Sequence, residues 1–178
     1  MSDATIRPFD VGRLYQVLDR RRNELGMSWR AVADQIWEQS SSLNERRRDH
    51  PISPSTLTNM ATNPRATCQH ALFILRWLNR TPESFLVGAT GEDPDDALPA
   101  AGPDRRLRWN LRQLYGVLDE RRRAEGLTWR SVAGLIDCTP SQLTGLRTAK
   151  FAINIDLAMR IVQWTDRRAA DFVYPARW

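Results

Sequence analysis

The feature that most constrains this chain is that it contains the same pattern twice. Laying Leu14-Tyr15 over Leu114-Tyr115 aligns LYQVLDRRRNELGMSWRAVADQI with LYGVLDERRRAEGLTWRSVAGLI, identical at Leu18, Asp19, Arg21, Arg22, Gly26, Trp29, Arg30, Val32, Ala33 and Ile36. The register then slips. Pro54-Ser55-x-Leu57-Thr58 matches Pro140-Ser141-x-Leu143-Thr144 at an offset of 86 instead of 100, so the first copy carries 14 extra residues between Trp37 and Ile52. Beyond them Ala71, Ile74, Trp77 and Phe85 fall over Ala158, Ile161, Trp164 and Phe172 at an offset of 87. A length of 178 residues suits one domain or two small ones, and the repeat favours two copies of one small domain.

Each copy reads as a run of short helices. Leu14, Val17, Leu18 and Leu25 recur at helical spacing after Asp10, a candidate N-cap, and Gly26 supplies a left-handed stop. Ser28 caps a second helix carrying Val32, Ala33 and Ile36, and Thr128 caps its counterpart. Ser53-Pro54 and Thr139-Pro140 each open a third, because a hydroxyl cap followed by proline at the first helical position is a strong start signal. A fourth runs through Ala71, Leu72, Ile74, Leu75 and Leu78, and Thr81-Pro82 opens a short fifth that delivers Phe85. No stretch alternates as a strand would, so the fold class is all-α. The first domain spans residues 1–88, with its insertion at about 38–51, and the second spans 105–178. Residues 89–104, rich in Pro, Gly, Ala and acids with no periodic apolar face, read as a linker.

Charge follows the same division. Residues 1–88 hold 12 Arg against 9 acids, residues 89–104 hold 5 acids and no base, and residues 105–178 hold 14 basic residues against 7 acids. Two basic bodies thus flank an acidic strip, and the net +5 points to a polyanionic partner. The acidic segment is expected to join the domains without tracking that partner. Cys68 and Cys138 lie in no metal or disulfide pattern, and no signal sequence or membrane-length apolar run is present, so a cytoplasmic protein is expected.

On the residues RRRAEGLTWRSVAGLIDCTPSQLTGL, and in the first copy RRRNELGMSWRAVADQI followed by ISPSTLTNM, each repeat resembles the lambda-repressor-like helix-turn-helix domain of phage repressors, Cro proteins and bacterial xenobiotic-response-element regulators. The resemblance covers roughly residues 9–88 and 105–175. It implies two tandem five-helix domains, the first with an insertion between helices 2 and 3, and a third helix that enters the major groove of double-stranded DNA. By position it implies base contacts from Ser53, Ser55, Thr56 and Asn59 in the first copy, with Thr58 beside them, and from Thr139, Ser141, Gln142, Thr144 and Gly145 in the second. Gln142 and Asn59 are the best candidates for a bidentate contact to adenine, since an amide matches its N6 donor and N7 acceptor together. Arg30, Arg130, Arg147 and Lys150 are placed to reach phosphate, and Arg46, Arg47 and Arg48 of the insertion are either an extra phosphate grip or part of a solvated loop. Asp137 stands where the family's turn often has glycine, and Asp tolerates the left-handed conformation.

The function implied is a sequence-specific transcriptional regulator, a repressor in the simplest case, reading a bipartite and asymmetric site from the nucleoid. The alternatives are a DNA-organising protein of a plasmid or mobile element, and a protein-interaction module in which one copy no longer binds DNA. Salt-dependent duplex binding separates the first two from the third. His50 and His70 have no companion at catalytic or ligand spacing, and neither a nucleophile elbow nor a phosphate loop occurs. No enzyme, cofactor, metal or small-molecule effector is therefore expected, and further homodimerisation is left open. Tyr15, Trp29 and Trp77 sit at helical spacings beside core positions, which reads as packing and not as base stacking.

Overall fold

A computed structural model of the chain describes residues 5–46, 49–149 and 153–178. Among them, the first repeat forms α1 (Val11–Glu24), α2 (Trp29–Glu38), a short extra helix α3 (Ser41–Asn44), α4 (Pro54–Asn59) and α5 (Cys68–Leu78), and ends in a 3-10 turn at Glu83–Phe85. The second forms α6 (Leu111–Ala124), α7 (Trp129–Ile136), α8 (Pro140–Gly145) and α9 (Ile155–Trp164), and ends in a 3-10 turn at Ala169–Phe172. The fold is mostly helical. Among the described residues, no helix is long and apolar enough to cross a membrane.

The helix starts follow from their caps. Asp10, Ser28 and Ser53 accept from the backbone N–H groups of Arg13, Ala31 and Thr56, and Asn110, Thr128 and Thr139 do the same in the second repeat. Such caps satisfy N–H groups that a helix start leaves unpaired, at about 1 kcal/mol each. Gly26 and Gly126 take positive φ after α1 and α6. In each repeat an arginine at the end of the first helix then clamps the turn: Arg22 binds Asp19 and the Met27 carbonyl and lies over the Trp29 ring, which stacks on Tyr15. Arg122, Asp119, Leu127, Trp129 and Tyr115 repeat the arrangement. These aromatics pack the first two helices together.

One expectation needs correcting. A small antiparallel sheet is present, with β1 (Arg106–Trp109) paired to β2 (Val173–Ala176). Its alternation of arginine with apolar residues runs for only four positions, and all four are buried, including both arginines. Arg106 donates to Asn44 Oδ1, the Asp49 carboxylate and the Asp49 carbonyl, so a guanidinium occupies a position that alternation rules reserve for apolar residues. In the first repeat the equivalent pairing shrinks to a single bridge, Phe9 to Leu86. The adjoining bonds correspond, Asp10 N–H to the Phe85 carbonyl at 2.8 Å and Asn110 N–H to the Phe172 carbonyl at 2.7 Å.

The two repeats share one apolar core. Their junction is an antiparallel bridge between Thr67 and Asn154, the N-caps of α5 and α9. Cys68 N–H donates to the Ile153 carbonyl at 2.7 Å, and Ile155 N–H donates to the Ala66 carbonyl at 3.0 Å. Under the repeat offset of 87 these two bonds are images of each other, so a local two-fold axis passes through the junction. The segment leading into each repeat also crosses to the other repeat's fourth helix. Phe9 N–H donates to Asp156 Oδ1, while Gln69, at the corresponding position, donates from its side chain to the Leu107 carbonyl. Trp109 adds an indole bond to the Cys68 carbonyl, and burial there pushes the Cys68 thiol up to about 11.

The acidic segment is covalently a linker, yet it is packed down. Glu92 binds Arg80 and Thr81, and Arg168 binds Asp95 and Asp96. Arg76, projecting from the otherwise apolar α5, donates to the carbonyls of Gln39, Ala101, Gly102 and Arg105, and burial lowers its pKa. Glu83 closes this region by accepting from Ala169 N–H at 2.7 Å, while its second carboxylate oxygen is buried without a hydrogen-bond partner.

Burial moves the Glu83 carboxyl from 4.5 to about 7, opposed by the Ala169 bond and reinforced by nearby Asp96. Between those pH values the folded chain holds a proton that the unfolded chain has lost, so this group makes stability fall as pH rises from about 4.5 to 7, then level off. Glu83→Gln keeps an acceptor for Ala169 and removes the titration. Thermal melts should show the variant more stable than the parent at pH 8 and no more stable at pH 4. Equal gains at both pH values would rule out ionisation of Glu83 as the cause.

Candidate functional site

The paired helices that sequence analysis singled out are α2 with α4 and α7 with α8. In the second repeat the turn is tight: Asp137 takes φ 60° as the C-cap of α7, Cys138 N–H returns to the Ala133 carbonyl at 2.9 Å, and Thr139 already caps α8. Val132, Ala133 and Ile136 on α7 and Leu143 and Leu146 on and after α8 are buried, which fixes the angle between the two. Each fully buried leucine contributes about 1.5–3 kcal/mol. Arg160, from α9, fastens the turn from behind by donating to the Ile136 and Asp137 carbonyls while pairing with Asp156, whose carboxylate raises the Arg160 pKa.

Burying Leu143 and Leu146 turns the opposite side of α8 to solvent. Thr139, Ser141, Gln142, Thr144 and Gly145 are all exposed. Ser141, Gln142 and Gly145 lie at i, i+1 and i+4, one face of a helix. Thr144 turns its hydroxyl back to the Pro140 carbonyl, which places it at the edge of that face. A side chain at Gly145 would meet open space. Gln142 forms a capping box: its Oε1 accepts from Thr139 N–H at 2.8 Å while Thr139 caps the Gln142 N–H. Its carbonyl is therefore engaged in the free protein, and a bidentate contact to adenine requires the side chain to leave the box.

On α4, Leu57 and the following Met60 are buried, and Ser53, Ser55 and Asn59 are exposed. Thr56 is half-buried, and its hydroxyl joins that of Ser55 on Ser53 Oγ, at 2.8 and 2.9 Å. Thr58 turns its hydroxyl back to the Ser55 carbonyl. Asn59 takes the place that Gly145 holds in the second repeat, so the two faces differ in shape as well as in chemistry. A cavity of about 280 Å³ is lined by Thr56 and Met60 together with Thr67, Ile153 and Asn154, which puts α4 beside the junction of the repeats.

Arg30, Arg46, Arg130 and Arg147 are exposed, whereas Arg47, Arg48 and Lys150 lie outside the described residues. Much of the insertion is packed. Leu43 and Asn44 are buried, Asn44 Nδ2 donates to the Trp37 carbonyl, His50 stacks on Trp37, and Ser40 donates to the Arg105 carbonyl. Its described polar groups hold Arg106 and the segment before β1, and the choice between a phosphate grip and a solvated loop for Arg46, Arg47 and Arg48 stays open. Sequence reasoning missed Arg160, Arg76 and Arg106, which position the turn and the arms. Only Arg76, a lone charge inside CQHALFILRWL, carried a signal that could have found it.

No known protein family, curated protein or solved structure matches this chain. The arrangement of these residues is thus the available guide to what the chain does. They present two exposed, hydroxyl-rich helix faces, on α4 and α8.

If the insertion also grips phosphate, replacing Arg46, Arg47 and Arg48 by alanine should flatten the slope of log affinity for duplex DNA against log salt by roughly 1–3 units, with the preferred sequence kept. Binding titrations from low to high salt measure this. An unchanged slope would confine the insertion to its packing role.

Proposed function

We propose that this chain is a sequence-specific, double-stranded DNA-binding regulator that reads a bipartite, asymmetric site through α4 and α8 and represses by occupying it. The observation that carries the reading is the exposed face of α8, where Ser141, Gln142 and Gly145 stand opposite Leu143 on a short helix held by a tight turn. It agrees with the resemblance of each repeat to lambda-repressor-like helix-turn-helix domains, in which the corresponding helix enters the major groove. The proposed architecture is two such domains in tandem, the first carrying the insertion between its second and third helices.

In this reading Gln142 and Asn59 contact base edges, Ser53, Ser55, Thr56, Thr139, Ser141 and Gly145 add less selective contacts, and Thr144 flanks them. Arg30, Arg130 and Arg147 contact phosphates, which set the position of the protein without reading sequence. The second repeat dominates, because its turn is intact and its charge is the more positive. The unlike faces of α4 and α8 make the two halves of the site unlike.

Gln142→Ala should weaken specific binding by roughly 1–3 kcal/mol and relax preference at one base pair, while Arg130→Ala should weaken all sequences about equally. Gln142→Ala also removes the capping box, so Gln142→Glu, which keeps an acceptor for Thr139 N–H, is the companion variant. Binding to matched and mismatched duplexes, with a thermal melt of each protein, separates the roles. Loss of melting temperature in Gln142→Ala with preference unchanged in both variants would assign Gln142 to the cap alone.

A further inference from the structure

Resting on that reading, we infer that the two half-sites are inverted with respect to each other, at one fixed spacing, and that a single chain fills both. Tandem domains on a flexible tether can read half-sites in either orientation and over a range of separations. This chain lacks that freedom. Its repeats meet in an antiparallel bridge between equivalent residues, Thr67 and Asn154, flanked by the paired bonds from Cys68 to Ile153 and from Ile155 to Ala66. An antiparallel bridge between equivalents relates its two sides by a half-turn rotation. A direct repeat of half-sites would instead require the two readers to be related by translation along the duplex.

The relation extends past the bridge. Asp156 takes the Phe9 N–H, and Gln69 reaches the Leu107 carbonyl, so each repeat holds the other's leading segment with the same helix position. Gln163 adds two bonds to the backbone of Arg7, at 2.9 and 2.8 Å, and the matching residue Arg76 reaches the Arg105 carbonyl. The readers are placed by the same frame, since α4 packs on α2 and α8 on α7, and α4 stands against the junction itself. Rotation by a half-turn sends the two readers to opposite strands, which inverts the half-sites. Because the two repeats share one core, the distance between readers is set by the fold and not by residues 89–104.

The same contacts bear on stoichiometry. A dimer that repeated this two-fold contact would place the fourth helix and leading segment of each copy on the other. Among the described residues both sets are already engaged within one chain, so a second chain is not needed to complete the frame.

The test uses the full chain. Duplexes bound from a random pool should contain two related but unequal half-sites in inverted orientation at a single spacing, and the mass of the complex should correspond to one 20.5 kDa chain per duplex. Two altered duplexes then probe rigidity: one with about half a helical turn, roughly 5 base pairs, inserted between the half-sites, and one with a half-site reversed in place. Each should lose roughly 100-fold or more in affinity, since bivalent engagement fails when geometry forbids it. Half-sites in direct repeat, tolerance of the insertion, or two chains per duplex would overturn this inference and leave DNA binding intact. No enriched duplex at low salt would overturn the DNA-binding reading and this inference together.

Discussion

Two main-chain hydrogen bonds at the N-termini of α5 and α9 organise the molecule. Cys68 to Ile153 and Ile155 to Ala66 join residues that correspond to each other in the two repeats. They satisfy N–H groups of α5 and α9 that no helical turn can reach. Once they form, Gln69 and Asp156 are aimed at the opposite repeat, and the segments before α1 and α6 have a surface to lie on. The apolar faces of α5 and α9 then meet, which is why both helices are buried almost all round. The turn between α7 and α8 depends on the same frame, through Arg160 on α9.

Symmetry at the junction gives way to asymmetry around it. The first repeat adds the insertion, whose Asn44 and Asp49 take up the buried guanidinium of Arg106, and the acidic segment adds Glu92, Asp95 and Asp96 opposite Arg80 and Arg168. None of these contacts has a counterpart at the related position. Replacing a buried ion pair with apolar residues is often neutral for stability, so the Arg106 cluster matters less as a source of free energy than as a lock on one arrangement. It ties the insertion to the second repeat's leading strand, and leaves the leading segment of the first repeat to pair with Gln163. The protein is thus a two-fold frame dressed with unlike parts.

Local signals in the sequence were legible where side chains act on their own backbone. Ser28, Ser53, Thr128 and Thr139 cap the helices they were expected to cap, Asp137 takes the left-handed turn, and Leu57 and Leu143 are buried beneath the faces that carry the candidate residues. The sheet and the junction were not legible, for two physical reasons. Arg106-Leu107-Arg108-Trp109 alternates arginine with apolar residues over only four positions, too short a run to stand out, and the structure buries all four, with the arginines held by partners from distant segments. The junction is made by backbone N–H and carbonyl groups, which every residue but proline carries and which no particular letter of the sequence marks. Composition described residues 89–104 as a tether, because the arginines that hold it down lie in other elements.

The crossing of the leading segments has a consequence for synthesis on the ribosome. The first repeat covers its fourth helix with α1 and α2 on one side only, and at its N-terminal end Gln69 and Cys68 await Leu107 and Trp109, and the carbonyl of Ala66 awaits Ile155. An N-terminal domain ordinarily folds as a unit while the rest of its chain is being made. Here α5 stays without its cover until the arm before α6 emerges, and the junction closes only after α9 has followed. Contacts that span more than eighty residues place the final structure late on the folding path, with a high loop-closure cost ahead of it. The two halves therefore complete the native state together, and a chain interrupted between them leaves the side of α5 that faces α9 and β1 uncovered.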